Sequence, residues 1–144
     1  MRFNQLSNVA SGLSIVLLSG LSVISTHAMA DVNSLLNTYA QQGATQPDAQ
    51  KGRELWNTPF AGDVPFTTRS CNSCHTKDLT QAGKHIKTSK AIKPMSPSVN
   101  AERLTDNRKV EKWFLRNCKW TLGRECSVSE KADLLLYINT SEKF

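Results

Sequence analysis

Cys71-Asn72-Ser73-Cys74-His75 places two thiols three positions apart and an imidazole directly after them. That spacing is the attachment signature of a c-type haem. Each sulfur adds across one vinyl group of the porphyrin, so the two must reach two points on one edge of the macrocycle. The next residue is then held beneath the iron, where an imidazole nitrogen serves as proximal ligand. A zinc half-site or a redox dithiol would use the same residue types. Zinc needs a second Cys/His pair at ligand spacing, which Cys118 and Cys126 do not supply. A thioredoxin-like dithiol needs a βαβ context, and the chain shows none. The motif therefore predicts one covalent haem c on Cys71 and Cys74, with His75 on the iron.

Residues 1–30 have the pattern of an export leader: Arg2, an apolar run from Leu13 to Ile24 broken by serines and Gly20, and the small-x-small triplet Ala28-Met29-Ala30. Cleavage is expected before Asp31. A membrane anchor is the alternative, but the run falls short of the roughly 20 apolar residues a span needs. The mature chain should be a soluble periplasmic protein, with a short N-terminal helix or extension over 31–46 and a haem domain over 47–144. All 12 acidic residues and every Lys/Arg except Arg2 lie in it, so it stays basic. That balance favours an acidic protein partner or an anionic surface. Nothing in the sequence resembles a nucleic-acid-binding motif, so no nucleic-acid role is expected. Four cysteines in an exported chain divide into two for haem and two, Cys118 and Cys126, for a disulfide, with a pair of free thiols as the alternative.

The elements read as helical. Leu35, Leu36 and Tyr39 share one side of a short helix over 31–42, either a peripheral packing element or a mobile extension. A second helix over 47–57 carries Gly52, Leu55 and Trp56 on one face. A mid-helix glycine costs about 1 kcal/mol relative to alanine, so Gly52 points to another helix crossing there closely. Residues 58–70 hold Pro59, Gly62 and Pro65 and read as a loop, with Phe60, Val64 and Phe66 available to wall a pocket and Arg69 either near a haem propionate or solvated. Residues 76–97 lack a clean period. Lys84, Lys87, Lys90 and Lys93 recur there at three-residue steps, a solvated face that would also steer an acidic redox partner if it rims the haem edge. His85 reads as a surface histidine.

Two residues compete for the far side of the iron. Met95 is the only methionine beyond the leader, but it lies 20 residues past His75 in a proline-flanked turn, early for a distal ligand. It reads better as a packed residue of the pocket. A helix over 105–117, capped by Thr105 or Asp106, places Val110, Trp113, Phe114 and Asn117 at i, i+3, i+4, i+7. A neutral amide thus sits on an apolar face. Buried without a partner it costs on the order of 1–3 kcal/mol. Its partner is either the helix end, which it would cap, or the iron: Asn117 is 42 residues past His75, about where a distal methionine would stand. Residues 119–126 read as a loop containing Gly123, and a last helix over 127–140 opens on the Ser127/Glu130 capping box. Crossing that helix with the Gly52–Trp56 helix gives an all-α, small class I cytochrome c-like fold, its N- and C-terminal helices crossing around one covalent haem.

The run Val110-Glu111-Lys112-Trp113-Phe114-Leu115-Arg116-Asn117-Cys118-Lys119-Trp120-Thr121-Leu122-Gly123-Arg124-Glu125-Cys126 resembles the sphaeroides haem protein (SHP) family of monohaem class I-like cytochromes c. The resemblance extends back through Pro97-Ser98-Val99-Asn100 to the haem motif. It implies that Asn117 binds ferric iron, that Cys118 pairs with Cys126, and that the asparagine leaves on reduction so that small diatomic ligands such as O2 or NO can bind. It further implies a dihaem cytochrome c or a membrane b-type cytochrome as electron donor. A plain electron carrier with Met95 or Asn117 as permanent sixth ligand is the rival expectation. No distal acid–base pair is recognisable, so no residue is assigned a catalytic role and enzymatic oxygen or nitric oxide chemistry stays open.

Overall fold

The computed structural model describes residues 27–141. Of the expected leader, residues 1–26 lie outside the described residues; residues 27–30 form the first turn of α1 (His27–Gln41). α2 (Ala49–Asn57) follows, then a hairpin of β1 (Phe60–Ala61) and β2 (Thr68–Arg69), the single-turn α3 (Asn72–His75), a second hairpin of β3 (Gly83–Lys84) and β4 (Ala91–Ile92), and the long helices α4 (Asn107–Leu122) and α5 (Val128–Asn139). Five helices dominate, as the all-α reading expects. The two antiparallel hairpins add only two residues per strand. No helix among the described residues is long and apolar enough to cross a membrane.

α2 and α5 form the central crossing, and Gly52 sits at it. A Cβ built on Gly52 would lie 2.2 Å from the Asp133 carbonyl oxygen and 2.8 Å from Tyr137 Cβ. Only hydrogen fits where the two backbones approach so closely. The same pair of helices is latched by a carboxylate. Asp48 caps α2, accepting from the amides of Gln50 and Lys51, while its own amide donates to Asp133 Oδ1 of α5 at 2.7 Å. Asp133 is buried, and its charge rests at the positive end of α2.

α1 is an integral part of the core. Val32, Leu35 and Tyr39 are buried with Leu134, Leu135 and Ile138 of α5. The Tyr39 hydroxyl donates to Glu111 Oε1 of α4 at 2.5 Å, and Lys131 of α5 pairs with the other Glu111 oxygen at 2.7 Å. One carboxylate therefore ties three helices together. Burial, reinforced by the Glu111 carboxylate, drives the Tyr39 pKa upward and keeps the phenol a donor.

Two sequence expectations change. The segment 119–126 is not a loop throughout: α4 runs on through Trp120 and Thr121 to Leu122 and stops at Gly123, whose φ of 73° supplies the left-handed cap. Thr121 is buried and Trp120 packs on Phe66, so this extra turn has an apolar face to bury. Val64, a candidate pocket wall, is instead 84% exposed at the tip of the β1–β2 hairpin. Where the sequence left caps open, Asp106 is the α4 N-cap, accepting from Arg108 and Lys109 amides, and the Ser127/Glu130 capping box opens α5.

Candidate haem site

α3 is a single turn, and its position is set from both sides. Trp56 of α2 donates from Nε1 to the Thr76 carbonyl at 2.9 Å and lays its ring 5.5 Å from the His75 ring. Gly83 of β3 presses against the motif's backbone, where an added Cβ would fall 2.1 Å from the Cys74 carbonyl oxygen. Cys71, Cys74 and His75 then line one cavity of about 750 Å3 together with Val110, Phe114 and Asn117 of α4. Met95 and His85 also line it.

Four properties of these side chains fit a covalently bound haem. Cys71 and Cys74 are not joined to each other. Burial, with a smaller push from Cys74, raises the Cys71 thiol to about 12, the reverse of the depressed pKa that makes a redox dithiol reactive. His75 is mostly buried, and its pKa is lowered to about 4 by that burial, then by the charges of Arg103 and His85. The imidazole is thus neutral near pH 7, the form that ligates metal. His75 Nδ1 is a buried atom with no hydrogen-bond partner among the described residues. No cluster of three or more His, Cys, Asp or Glu at metal-binding distance occurs among them, so the zinc alternative finds no ligand set.

Asn117 is half-buried and lies in the interior of α4, five residues before its end. It does not cap the helix, its side chain makes no hydrogen bond among the described residues, and it lines the cavity. The adjacent Cys118 is bonded to Cys126, Cα to Cα 5.5 Å, across the α4–α5 turn. Trp113, which shares the expected apolar face, lies at the cavity mouth and is 50% exposed. Met95 is half-buried; its amide and that of Ser96 both donate to the Leu79 carbonyl at 2.9 Å. His85 is exposed, its Nδ1 accepting from the Thr88 amide at 3.2 Å.

Arg69 is neither solvated nor left to a propionate. Its Nη1 donates to the Trp120 carbonyl at 3.0 Å, its Nη2 pairs with Asp63, and its guanidinium lies 3.8 Å from the centroid of the Trp120 ring. Lys87 lies 3.9 Å from the same ring centroid. Trp120 thus holds two cations beside the cavity, a role the sequence did not disclose. The clue was available: Trp120 continues the series Trp113, Phe114, Asn117 at helical spacing once the helix is carried past Cys118.

A family model described as a domain of unknown function, DUF1924, matches residues 42–138. The cytochrome c-type protein SHP of Cereibacter sphaeroides is 41% identical over 104 residues, covering 72% of this chain and 79% of that protein. Cytochrome c'' of Methylophilus methylotrophus is 36% identical over 130 residues, covering 84% of this chain and 90% of its own. Among solved structures, oxidised SHP, described as an oxygen-binding cytochrome c, superposes with a TM-score of 0.69 at 40% identity, covering 75% of this chain and 95% of that one. Oxidised cytochrome c'' gives 0.66 at 35% identity, covering 80% and 94%. The chain belongs to the SHP family of class I-like c-type cytochromes, whose cofactor is one covalently bound haem c.

Proposed function

We propose that this chain is a periplasmic monohaem cytochrome that takes part in electron transfer and, when reduction releases Asn117, binds a small ligand such as O2 or NO. The observation that carries the reading is the placement of the Asn117 amide, mid-helix and uncapped, in the cavity that also takes in Cys71, Cys74 and His75. In this reading Cys71 and Cys74 are the thioether donors and His75 the proximal ligand. The haem supplies a redox-active iron with an exchangeable sixth position. Asn117 offers a hard, neutral, weakly basic amide oxygen, suited to ferric iron and poorly suited to ferrous. The Cys118–Cys126 bond staples the backbone next to Asn117 and would restrict how far the amide can move. Two relatives support the reading: SHP is described as oxygen-binding, and a solution study of cytochrome c'' concerns haem-ligand detachment.

Residues 1–30 are the export leader in this account, and a disulfide in a small soluble domain suits an oxidising compartment. The haem domain spans 47–144, with 31–46 packed onto it.

Met95 also lines the cavity, which gives the rival a foothold: a plain carrier with a permanent sixth ligand, Met95 or Asn117. The ferric spectrum separates them. Met95→Leu is expected to leave the ferric ligand field unchanged, and the wild type to lack the far-red thioether–iron band. Such a band, lost in Met95→Leu, would replace the Asn117 assignment with the methionine.

Electrons are expected from a dihaem cytochrome c or a membrane b-type cytochrome docking on the basic rim. Lys84 and Lys87 are both exposed, and Lys87 lines the cavity. Their reversal in Lys84→Glu/Lys87→Glu should slow reduction by an acidic donor several-fold at low ionic strength, with the difference closing as salt screens it. An unchanged stopped-flow rate at low salt would place the docking surface elsewhere.

A further inference from the structure

Arg103 belongs to the turn that leads into α4, between Lys93–Pro94 and the helix cap. Its guanidinium is fixed from one side: Nε donates to the Pro94 carbonyl at 2.8 Å and Nη2 to the Lys93 carbonyl at 2.7 Å. Asn100 Nδ2 donates to the same Pro94 oxygen at 2.9 Å, so the acceptor is itself held. The side chain is half-buried and stands in the wall of the haem cavity. It has no carboxylate partner among the described residues. Its acidic neighbours are taken: Glu102 pairs with Lys93, and Asp106 with Lys109. Burial lowers the Arg103 pKa.

A cation held in a cavity wall without a counter-ion carries a desolvation cost that an anion in the cavity would offset. The guanidinium fork is shaped for a carboxylate. The other Lys and Arg side chains lining the cavity are less prepared: Lys90, Lys109 and Arg116 are exposed, Arg116 lying 5.1 Å from the Trp113 ring centroid, and Lys87 rests over Trp120. The anionic groups of a haem c are its two propionates. Resting on the haem reading above, we infer that Arg103 is the anchor of one haem propionate, a positioning residue that fixes the macrocycle's orientation and offsets one negative charge beside the iron.

The test uses the mature holoprotein, with haem biosynthesised from carboxyl-13C-labelled 5-aminolevulinate so that the propionates are isotope-marked. Covalent haem content is measured first; a wild type without it overturns the haem reading and this inference together. In Arg103→Gln, one isotope-sensitive propionate band of the infrared spectrum should shift while the other stays, and the midpoint potential should fall. Arg103→Lys, which keeps the charge and loses the fork, should recover most of the potential but leave the band displaced; if the glutamine variant fails to fold, that displaced band carries the test. Lys90→Gln should change neither. Propionate bands that match wild type in both Arg103 variants, with only a lowered unfolding midpoint, would show that Arg103 merely braces the Lys93 and Pro94 carbonyls.

Discussion

Gly52→Ala should destabilise the protein by about 3 kcal/mol, at the upper end of the range for overpacked sites. Alanine ordinarily improves a helix interior by about 1 kcal/mol over glycine, so the sign of the effect is itself diagnostic. The added methyl would meet Asp133 backbone, at 2.2 Å from its carbonyl oxygen, and a backbone atom cannot rotate away as a side-chain tip can. α2 and α5 must part, and the damage will not stay local. Trp56 lies one turn further along α2, on the same face, holding the Thr76 carbonyl and flanking the His75 ring. The expected result is a lower chemical unfolding midpoint together with a perturbed haem absorption band. An unfolding midpoint equal to or above that of the wild type would mean that the crossing is looser than the structure has it.

Asn117→Ala should convert the ferric protein from low spin to high spin. The side chain that would fill the sixth position is removed, and no neighbour on α4 replaces it: Val110 and Phe114 are apolar, and Cys118 is tied up in its disulfide. Because Asn117 lies within the helix and does not cap it, alanine should cost α4 little, and folding should survive well enough for the spectrum to be read. Its ferrous form should resemble the wild type, since in the proposed function the amide is already off the iron in that state. A ferric spectrum identical to wild type would show that Asn117 is not the ligand. Alanine at this one position thus separates ferric coordination from ferrous behaviour.

The haem motif was legible because its chemistry is local: two sulfurs and an imidazole within five residues answer to one rigid ring. Gly52 was legible for a different reason. A glycine in a helix is a cost that only close packing offsets, and α5 supplies it. Asn117 could be placed on the apolar face by counting from Val110, but its setting could not. Gly123 made residues 119–126 read as a loop, whereas Thr121 and Trp120 bury enough surface to carry α4 to Leu122. The hairpins escaped notice because two-residue strands have no alternation to detect. Arg69 and Trp120 are 51 residues apart in sequence, and neither the carbonyl bond nor the stacking between them leaves a local trace. Arg103 is similarly silent: a lone arginine beside a glutamate looks like solvated charge until the fold gives its partners to others.

The proposed function stands on a sixth position closed by Asn117 in the ferric state and open in the ferrous. It is tested most directly by adding carbon monoxide or nitric oxide to the dithionite-reduced protein and recording the absorption spectrum. The expected result is a rapid, stoichiometric shift to a ligand-bound spectrum in the reduced protein, with no change on adding carbon monoxide to the oxidised one. A reduced spectrum that stays six-coordinate and unaltered by either gas would contradict it, and would make this cytochrome a carrier with a permanently closed iron.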